Sequence, residues 1–273
     1  MSEYLLAGQE SEIDRLRLQS IVWEPAGRRL LELVGDGRGR RALDVGCGCL
    51  GWLRLLSDWV GELGAVVGSD TDTRMLERAA GLAEEDGLVN VRLMDDDLFA
   101  SGLERRGFDL IHARLMIAPL GRAAEQLTSH LALLAPGGTL VLEEPDCASW
   151  RFNAPAPAAE RLVALIGEAF DAAGGDFNAG RSLPALLHDR GLTPRVRTEV
   201  LALEHDHPYL RLPLQFAAAL RPRLLDLPGD EAALDALIAD AEQELADPDR
   251  WGTSFTMVQC WARTGGSPGP GTR

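Results

Sequence analysis

The sequence predicts an α/β protein whose mostly parallel sheet is covered by helices on both faces. Three observations support this. Short β-like runs alternate with helical stretches between residues 41 and 142. A glycine-rich bend, Gly46-Cys-Gly-Cys-Leu-Gly51, directly follows the first run. Each of the first five runs ends close to a polar residue, namely Asp44, Asp70, Asp95–Asp97, His112 and Glu143–Glu144. Alternation at this spacing builds parallel sheets, which bind ligands beyond the carboxyl ends of their strands.

Residues 1–33 read as helical. Leu5, Leu6, Ile13, Leu16, Ile21 and Val22 lie mainly at helical intervals, and Leu30, Leu31 and Leu33 continue the pattern after Pro25. Gly35–Gly39 is a turn. Strands are expected at Arg41–Val45, Ala65–Ser69, Val91–Met94, Phe108–Ala113 and Thr139–Leu142. Helices are expected at Leu50–Val60, Thr73–Ala83 and about Arg122–Leu134, with Pro136-Gly-Gly138 turning the chain into the fifth strand. After Asp146 the pattern loosens. Helices at Ala158–Ala173 and Leu183–Arg190 precede two strand-like stretches, Val196–Leu203 and Ser254–Ala262. Helical material over about 210–246 separates those two, as a cap inserted between the final strands would. The tail, Thr264–Arg273, is Gly/Pro-rich and expected to be disordered.

Composition narrows the function. An apolar content of 46% is ample for a core in one large domain. All 27 basic residues are Arg, and the net charge of −15 argues against a nucleic-acid partner, which needs basic surface. No apolar run has the length of a membrane helix, and the N-terminus lacks the pattern of a signal peptide, so a soluble, cytoplasmic protein is expected. A homodimer is left open. Cys47, Cys49, Cys147 and Cys260 form no Cys-x-x-Cys pair and read as small buried or loop residues.

The bend is a nucleotide cradle, in which bare backbone N–H groups can approach a ligand. Which nucleotide it holds is ambiguous by spacing alone. Gly46-x-Gly48-x-x-Gly51 also spells the dinucleotide fingerprint, and Asp70 follows Gly51 by 19 residues. Over roughly residues 40–145, however, Leu-Asp-Val-Gly-Cys-Gly, Val-Gly-Ser-Asp, Met-Asp-Asp-Asp, Phe-Asp-Leu-Ile and Leu-Ala-Pro-Gly-Gly-Thr-Leu occur in that order. This series resembles class I S-adenosylmethionine-dependent methyltransferases, in particular the bacterial small-molecule enzymes that tailor natural products. The opening, Tyr4-Leu-Leu-Ala-Gly8 with Glu12, Arg15, Leu16 and Gln19, resembles the N-terminal helical lid of that group. The resemblance implies a Rossmann-like seven-stranded sheet with an antiparallel last strand. Its expected organisation is a lid at 1–34, a methyltransferase domain at 35–264 with a substrate-cap insert at about 204–250, and a tail at 265–273.

The resemblance also implies roles. Asp44, Gly46, Cys47 and Gly48 would hold the methionine part of S-adenosylmethionine. Asp70 would accept from both ribose hydroxyls, and Thr71 would lie beside the adenosine. Asp97, or its rival Asp96, would meet the adenine amino group, with Leu98 at the ring edge. His112 and Arg114 would lie under the sulfonium. The family's third glycine is replaced by Leu50, with Gly51 following, so the bend is expected to take a slightly different path. A nicotinamide oxidoreductase is disfavoured because Asp44 stands where a pyrophosphate would repel it, and because no second βαβαβ half follows residue 146.

Methyl transfer is an in-line displacement that needs alignment, exclusion of water and, for a protonated acceptor, a base. The base candidates are His112, Glu143 and Glu144, with Asp146 behind them; the alternative for His112 is to stack near the cofactor. Glu143 and Glu144 are adjacent, so at most one should face the pocket. Specificity is expected from Tyr4, Gln19 and Trp23 in the lid, Trp150–Asn153, Asn178 and Arg181 within 176–181, and the region around Tyr209–Arg223. His205 and His207 read as a solvated loop, and no metal is expected. The expected reaction yields S-adenosylhomocysteine and a small molecule, such as a secondary metabolite, methylated on oxygen, nitrogen or electron-rich carbon. A second reading keeps the cofactor but promotes a cyclisation without methyl transfer.

Overall fold

The computed structural model describes residues 10–227 and 230–265. Tyr4 and the rest of 1–9, together with 266–273 of the expected disordered tail, lie outside the described residues. A long helix, α1 (Glu10–Val34), opens the described chain. The alternation then follows: β1 (Arg41–Val45), α2 (Leu53–Val60), β2 (Ala65–Asp70), α3 (Thr73–Glu85), β3 (Val91–Asp95), β4 (Phe108–Arg114), α4 (Ile117–Leu120), α5 (Ala123–Leu133) and β5 (Leu134–Asp146). Beyond these come β6 (Arg151–Asn153), α6 (Pro157–Ala172), α7 (Leu183–His188), β7 (Arg195–Glu199) and β8 (Ala202–Leu203). The chain closes with α8 (Leu212–Asp226), α9 (Glu231–Leu245), β9 (Trp251–Thr253) and β10 (Thr256–Arg263).

Seven strands form one sheet in the order β3-β2-β1-β4-β5-β10-β7. β1 to β5 pair in parallel, and β10 lies antiparallel to both β5 and β7. This is the expected Rossmann-like sheet with an antiparallel last strand. On one face Ala42, Leu110, Val141 and Trp261 pack against Trp52, Leu53, Leu56 and Val60 around α2, with Leu30 and Leu31 of α1. On the other, Leu43, Ile111, Leu140 and Cys260 meet Leu127 of α5, Ile166 of α6 and Leu187 of α7. Among the described residues, no helix is long and apolar enough to cross a membrane.

Boundaries shift for identifiable reasons. α2 starts at Leu53 rather than Leu50, because Gly46, Gly48 and Gly51 have φ of 64°, 56° and 45°, so the left-handed bend reaches Gly51. β5 is longer than expected. It pairs with β10 from Thr139 to Asp146, which draws Glu143 and Glu144 into the strand. The expected stretch Val196–Leu203 divides into β7 and β8, Ser254–Ala262 is matched by β10 alone, and β6, β9 and β8 make a separate three-stranded sheet. Strands of two or three residues carry too few side chains to show a period. α1 runs unbroken through Pro25, although an interior proline costs about 3 kcal/mol. Trp23 and Ala26 bury in the core on one face of the sheet and Leu30 and Leu31 in the core on the other, and this burial offsets the lost hydrogen bond.

α1 is tied to the turn before α8 by the Trp23 indole, which donates to the Tyr209 hydroxyl at 2.9 Å, both side chains being buried. Tyr209→Phe should leave that N–H without a partner and lower the unfolding free energy by about 1–3 kcal/mol in urea melts. An unchanged midpoint and slope would show that the pair contributes nothing.

Candidate functional site

The carboxyl ends of β1, β2 and β4 and the facing side of α1 enclose a cavity of about 600 Å³. Its first wall is the bend after β1. The Cys47 N–H donates to the Ser69 carbonyl at 3.0 Å, which ties the bend to β2. The Gly48 N–H donates to one Asp70 carboxylate oxygen at 2.9 Å, and the Asp72 N–H donates to the other at 2.9 Å. A Cβ on Gly46 would lie 2.2 Å from Met116 Sδ, and one on Gly51 2.5 Å from Asp44 Oδ2 and 2.6 Å from the Cys47 carbonyl oxygen. The bend therefore needs glycine at both positions. Gly51 lines the cavity whereas Leu50 is buried away from it, so the altered bend keeps its third glycine one residue later.

The wall continues through Thr71, Asp96, Asp97 and Leu98. Asp96 Oδ1 accepts from the Gly102 N–H at 2.8 Å, and Asp97 Oδ1 from the Phe99 N–H at 2.9 Å. Each carboxylate thus braces its own loop and still borders the cavity. Burial raises the Asp70 carboxyl above its ordinary value, against the opposing pull of the Asp72, Gly48 and Thr71 amides. Phe99 carries the Arg122 guanidinium over its ring at 3.6 Å, and Arg122 pairs with Glu125.

The floor is polar and dry. His112, buried on β4, stacks on Trp52 with centroids 3.8 Å apart. Its Nδ1 meets Asp44 Oδ1 at 2.7 Å, and its Nε2 meets Glu143 Oε2 at 3.1 Å. The second Asp44 oxygen accepts from the Trp52 N–H at 2.8 Å. Burial alone would lower the His112 pKa, but the hydrogen bonds and charges of Asp44 and Glu143 hold it above the ordinary histidine value. Burial alone would raise Glu143; the His112 contact and the Arg114 charge instead bring it below the usual carboxylate range.

The three base candidates are therefore engaged in other contacts. Both ring nitrogens of His112 face carboxylates. Glu143 is filled by His112 and Gln259 and does not line the cavity. Glu144 points to the opposite face and accepts from the Met116, Ile117 and Ala118 N–H groups at 2.8, 2.7 and 3.0 Å. It neutralises the unpaired donors at the start of α4 and does not reach the cavity.

The second wall is aromatic. Phe170, Phe177, Phe216 and Phe255 line it with Met116 and Pro145, and Phe170 and Phe177 lie 4.9 Å apart. Arg15, Gln19 and Ser20 of α1 and Arg114 of β4 stand between the two walls. Arg15 donates to Gln19 at 3.1 Å and lies 5.2 Å from the Phe216 ring centre. Of the expected specificity residues, Gln19 reaches the cavity and four do not. Trp23 and Trp150 pack behind Phe255 as buried anchors. Asn178 accepts from the Ala148 N–H, and Arg181, more than half exposed, pairs with Asp146. Tyr4 is not among the described residues. Phe216 lies in the region around Tyr209–Arg223 expected to give specificity, whereas sequence reasoning missed Phe170, Phe177 and Phe255 as lining residues. Phe170 and Phe216 lie on α6 and α8 and Phe177 and Phe255 in two loops, and no local pattern groups the four. Among the described residues, no cluster of three or more His, Cys, Asp or Glu side chains is placed to hold a metal ion.

Glu144→Gln should replace one acceptor by a donor facing backbone N–H groups. Urea unfolding should show a loss of about 1–3 kcal/mol. A fully stable but inactive variant would instead restore Glu144 as a proton acceptor.

Comparison with known proteins agrees with this architecture. A family model described as "Methyltransferase domain" matches residues 36–177, just over half of the chain. The aklanonic acid methyltransferase DauC of Streptomyces sp. (strain C5) is 34% identical over 135 residues, covering 50% of this chain and 60% of that protein. A demethylmenaquinone methyltransferase of Staphylococcus aureus (strain MRSA252) is 31% identical over 126 residues, covering 46% and 50%. The matched stretch thus spans about half to three-fifths of these relatives' own length. The crystal structure of a SAM-dependent methyltransferase from Aquifex aeolicus superposes with a TM-score of 0.52 at 22% identity, over 72% of this chain and 93% of that one. With a bend, sheet order and family match in agreement, the chain belongs to the methyltransferase domain family.

Proposed function

We propose that this chain transfers a methyl group from S-adenosylmethionine to an oxygen, nitrogen or electron-rich carbon of a small-molecule acceptor of the secondary-metabolite kind. The observation that supports this best is the continuity of one cavity from the glycine-and-acid wall to the aromatic wall. The residues present fit the cofactor. Gly46 leaves backbone exposed where a Cβ would intrude, Gly48 takes a left-handed φ of 56°, and Asp70 offers a desolvated carboxylate suited to a diol. Asp96, Asp97 and Leu98 form the edge where a purine ring would rest, and Asp44, Cys47, Thr71, His112 and Arg114 complete the lining. A nicotinamide dinucleotide fits less well, because Asp44 lies beneath the place its pyrophosphate would occupy.

S-adenosylmethionine, when bound, supplies an electrophilic methyl group on a sulfonium. The chain's own part is alignment and dryness. The phenylalanines grip a flat apolar body by its faces and edges. Arg15 and Arg114 offer donors to its oxygen functions, and Gln19 fixes the Arg15 fork. Holding two reactants in line can contribute about 7–11 kcal/mol to the rate, enough for transfer without a dedicated base. In this reading α1 is the lid, and 204–250 is the cap that contributes Phe216 and the Tyr209 anchor. A cytoplasmic setting fits four buried cysteines that form no disulfide.

Asp70→Ala should weaken S-adenosylmethionine binding by about 1.5–3 kcal/mol, as expected for lost hydrogen bonds to a charged acceptor. An unchanged dissociation constant would remove Asp70 from the cofactor site. Incubating candidate aromatics with methyl-labelled donor should give labelled product together with S-adenosylhomocysteine. Acceptor conversion without S-adenosylhomocysteine would favour the cyclisation reading.

A further inference from the structure

One row of polar side chains crosses five strands on a single face of the sheet. Asp44 on β1 and His112 on β4 are register partners, as are Glu143 on β5 and Gln259 on β10, and Gln259 and Arg197 on β7. One step towards the amino ends of the parallel strands, Ala42, Leu110, Val141 and Trp261 form the matching apolar row. The polar row is therefore placed deliberately, at the level where β1 and β4 meet the cavity. Gln259 is fully buried. At the outer end Arg197 contacts both the Gln259 carbonyl oxygen and Glu199, and Glu199 accepts from Arg29 of α1 at 2.8 Å.

We propose that Arg197 and Gln259 are positioning residues that set the direction of every hydrogen bond in this row and thereby hold His112 as an imidazolium. The direction follows from which groups can only donate. A guanidinium has no lone pair to offer, so the Gln259 carbonyl oxygen must turn towards Arg197. The Gln259 NH2 group then faces Glu143 Oε1, which must accept. At the inner end the Trp52 backbone N–H also only donates, so Asp44 Oδ2 must accept. Both carboxylates are thus committed as acceptors from opposite sides, and His112 between them donates from both nitrogens. Charges then alternate along the row: Asp44 negative, His112 positive, Glu143 negative, Arg197 positive, Glu199 negative, Arg29 positive. A neutral His112 would leave two carboxylates around one uncharged ring in a dry interior, which is costly.

The other ionisable neighbours agree. Arg114, two residues along β4, adds positive charge beside Glu143. His130 of α5 is kept neutral first by its own burial and then by the His112 charge, with its pKa pushed down to about 3. A doubly protonated ring has no lone pair, so His112 is excluded as a proton acceptor. Its part is to hold Asp44, and through Asp44 the start of α2, against the cradle.

Nitrogen-15 NMR of the full chain tests this. The His112 signals are identified by through-space contacts to the Trp52 ring. Both ring nitrogens should show protonated-type shifts at pH 7, with a midpoint well above the ordinary 6.5. In Gln259→Leu the midpoint should fall towards that value. Arg197→Met, nearer the surface, should move it in the same direction by freeing the amide to turn. One bare nitrogen in the wild type at pH 7 overturns the proposal outright. A His112 midpoint unchanged in Gln259→Leu or, should that variant fail to fold, in Arg197→Met shows that these residues only pack.

Discussion

The site depends on a single buried carboxylate. Asp44 stands at the last turn of β1 before the chain bends, and its two oxygens face different parts of the molecule. One receives the amide of Trp52, which precedes the helix after the bend, and the other receives the imidazole of the neighbouring strand. The chain between these contacts is free to adopt three left-handed glycines because both its ends are held. In a low-dielectric interior such a carboxylate is stable only while its donors persist. The shape of the cradle and the electrostatics of the sheet are for that reason one problem.

That coupling accounts for the division of labour around the cavity. The acids nearest the ligand space on the β2 and β3 side retain contact with it while bracing loops, Asp70 through both oxygens and Asp96 and Asp97 through one each. Those on the β5 side are committed elsewhere: Glu143 to the sheet and Glu144 to α4. The wall facing them is built from phenylalanines, and its polar groups are guanidiniums and an amide from α1 and β4. An acidic chain of net charge −15 thus places Arg15 and Arg114 in the lining of its cavity. α1 belongs to both systems, since Arg29 ends the polar row and Arg15 and Gln19 border the cavity.

Much of this was legible from local sequence. The parallel strands, the bend and the acids at strand tips are short-range patterns, and a seven-stranded sheet with an antiparallel last strand followed from the resemblance that the motif series carries. Other parts were not. Gln259 sits in an apolar strand, 116 residues from Glu143, and its meaning appears only when the register is known. Glu144 looked like an acid at a pocket edge because α4, four residues long, is too short to announce the amides it presents. Trp23 and Trp150 were expected at the substrate because large aromatics suit flat ligands. Their indoles are instead buried one layer back, and smaller Phe255 fills the lining position.

Titrating the purified chain calorimetrically with S-adenosylhomocysteine, and in parallel with NADH, probes the central claim most directly. A saturable one-to-one heat with the thioether nucleoside and none with the dinucleotide is the expected result. Saturable binding of NADH, with no response to S-adenosylhomocysteine, would contradict the account.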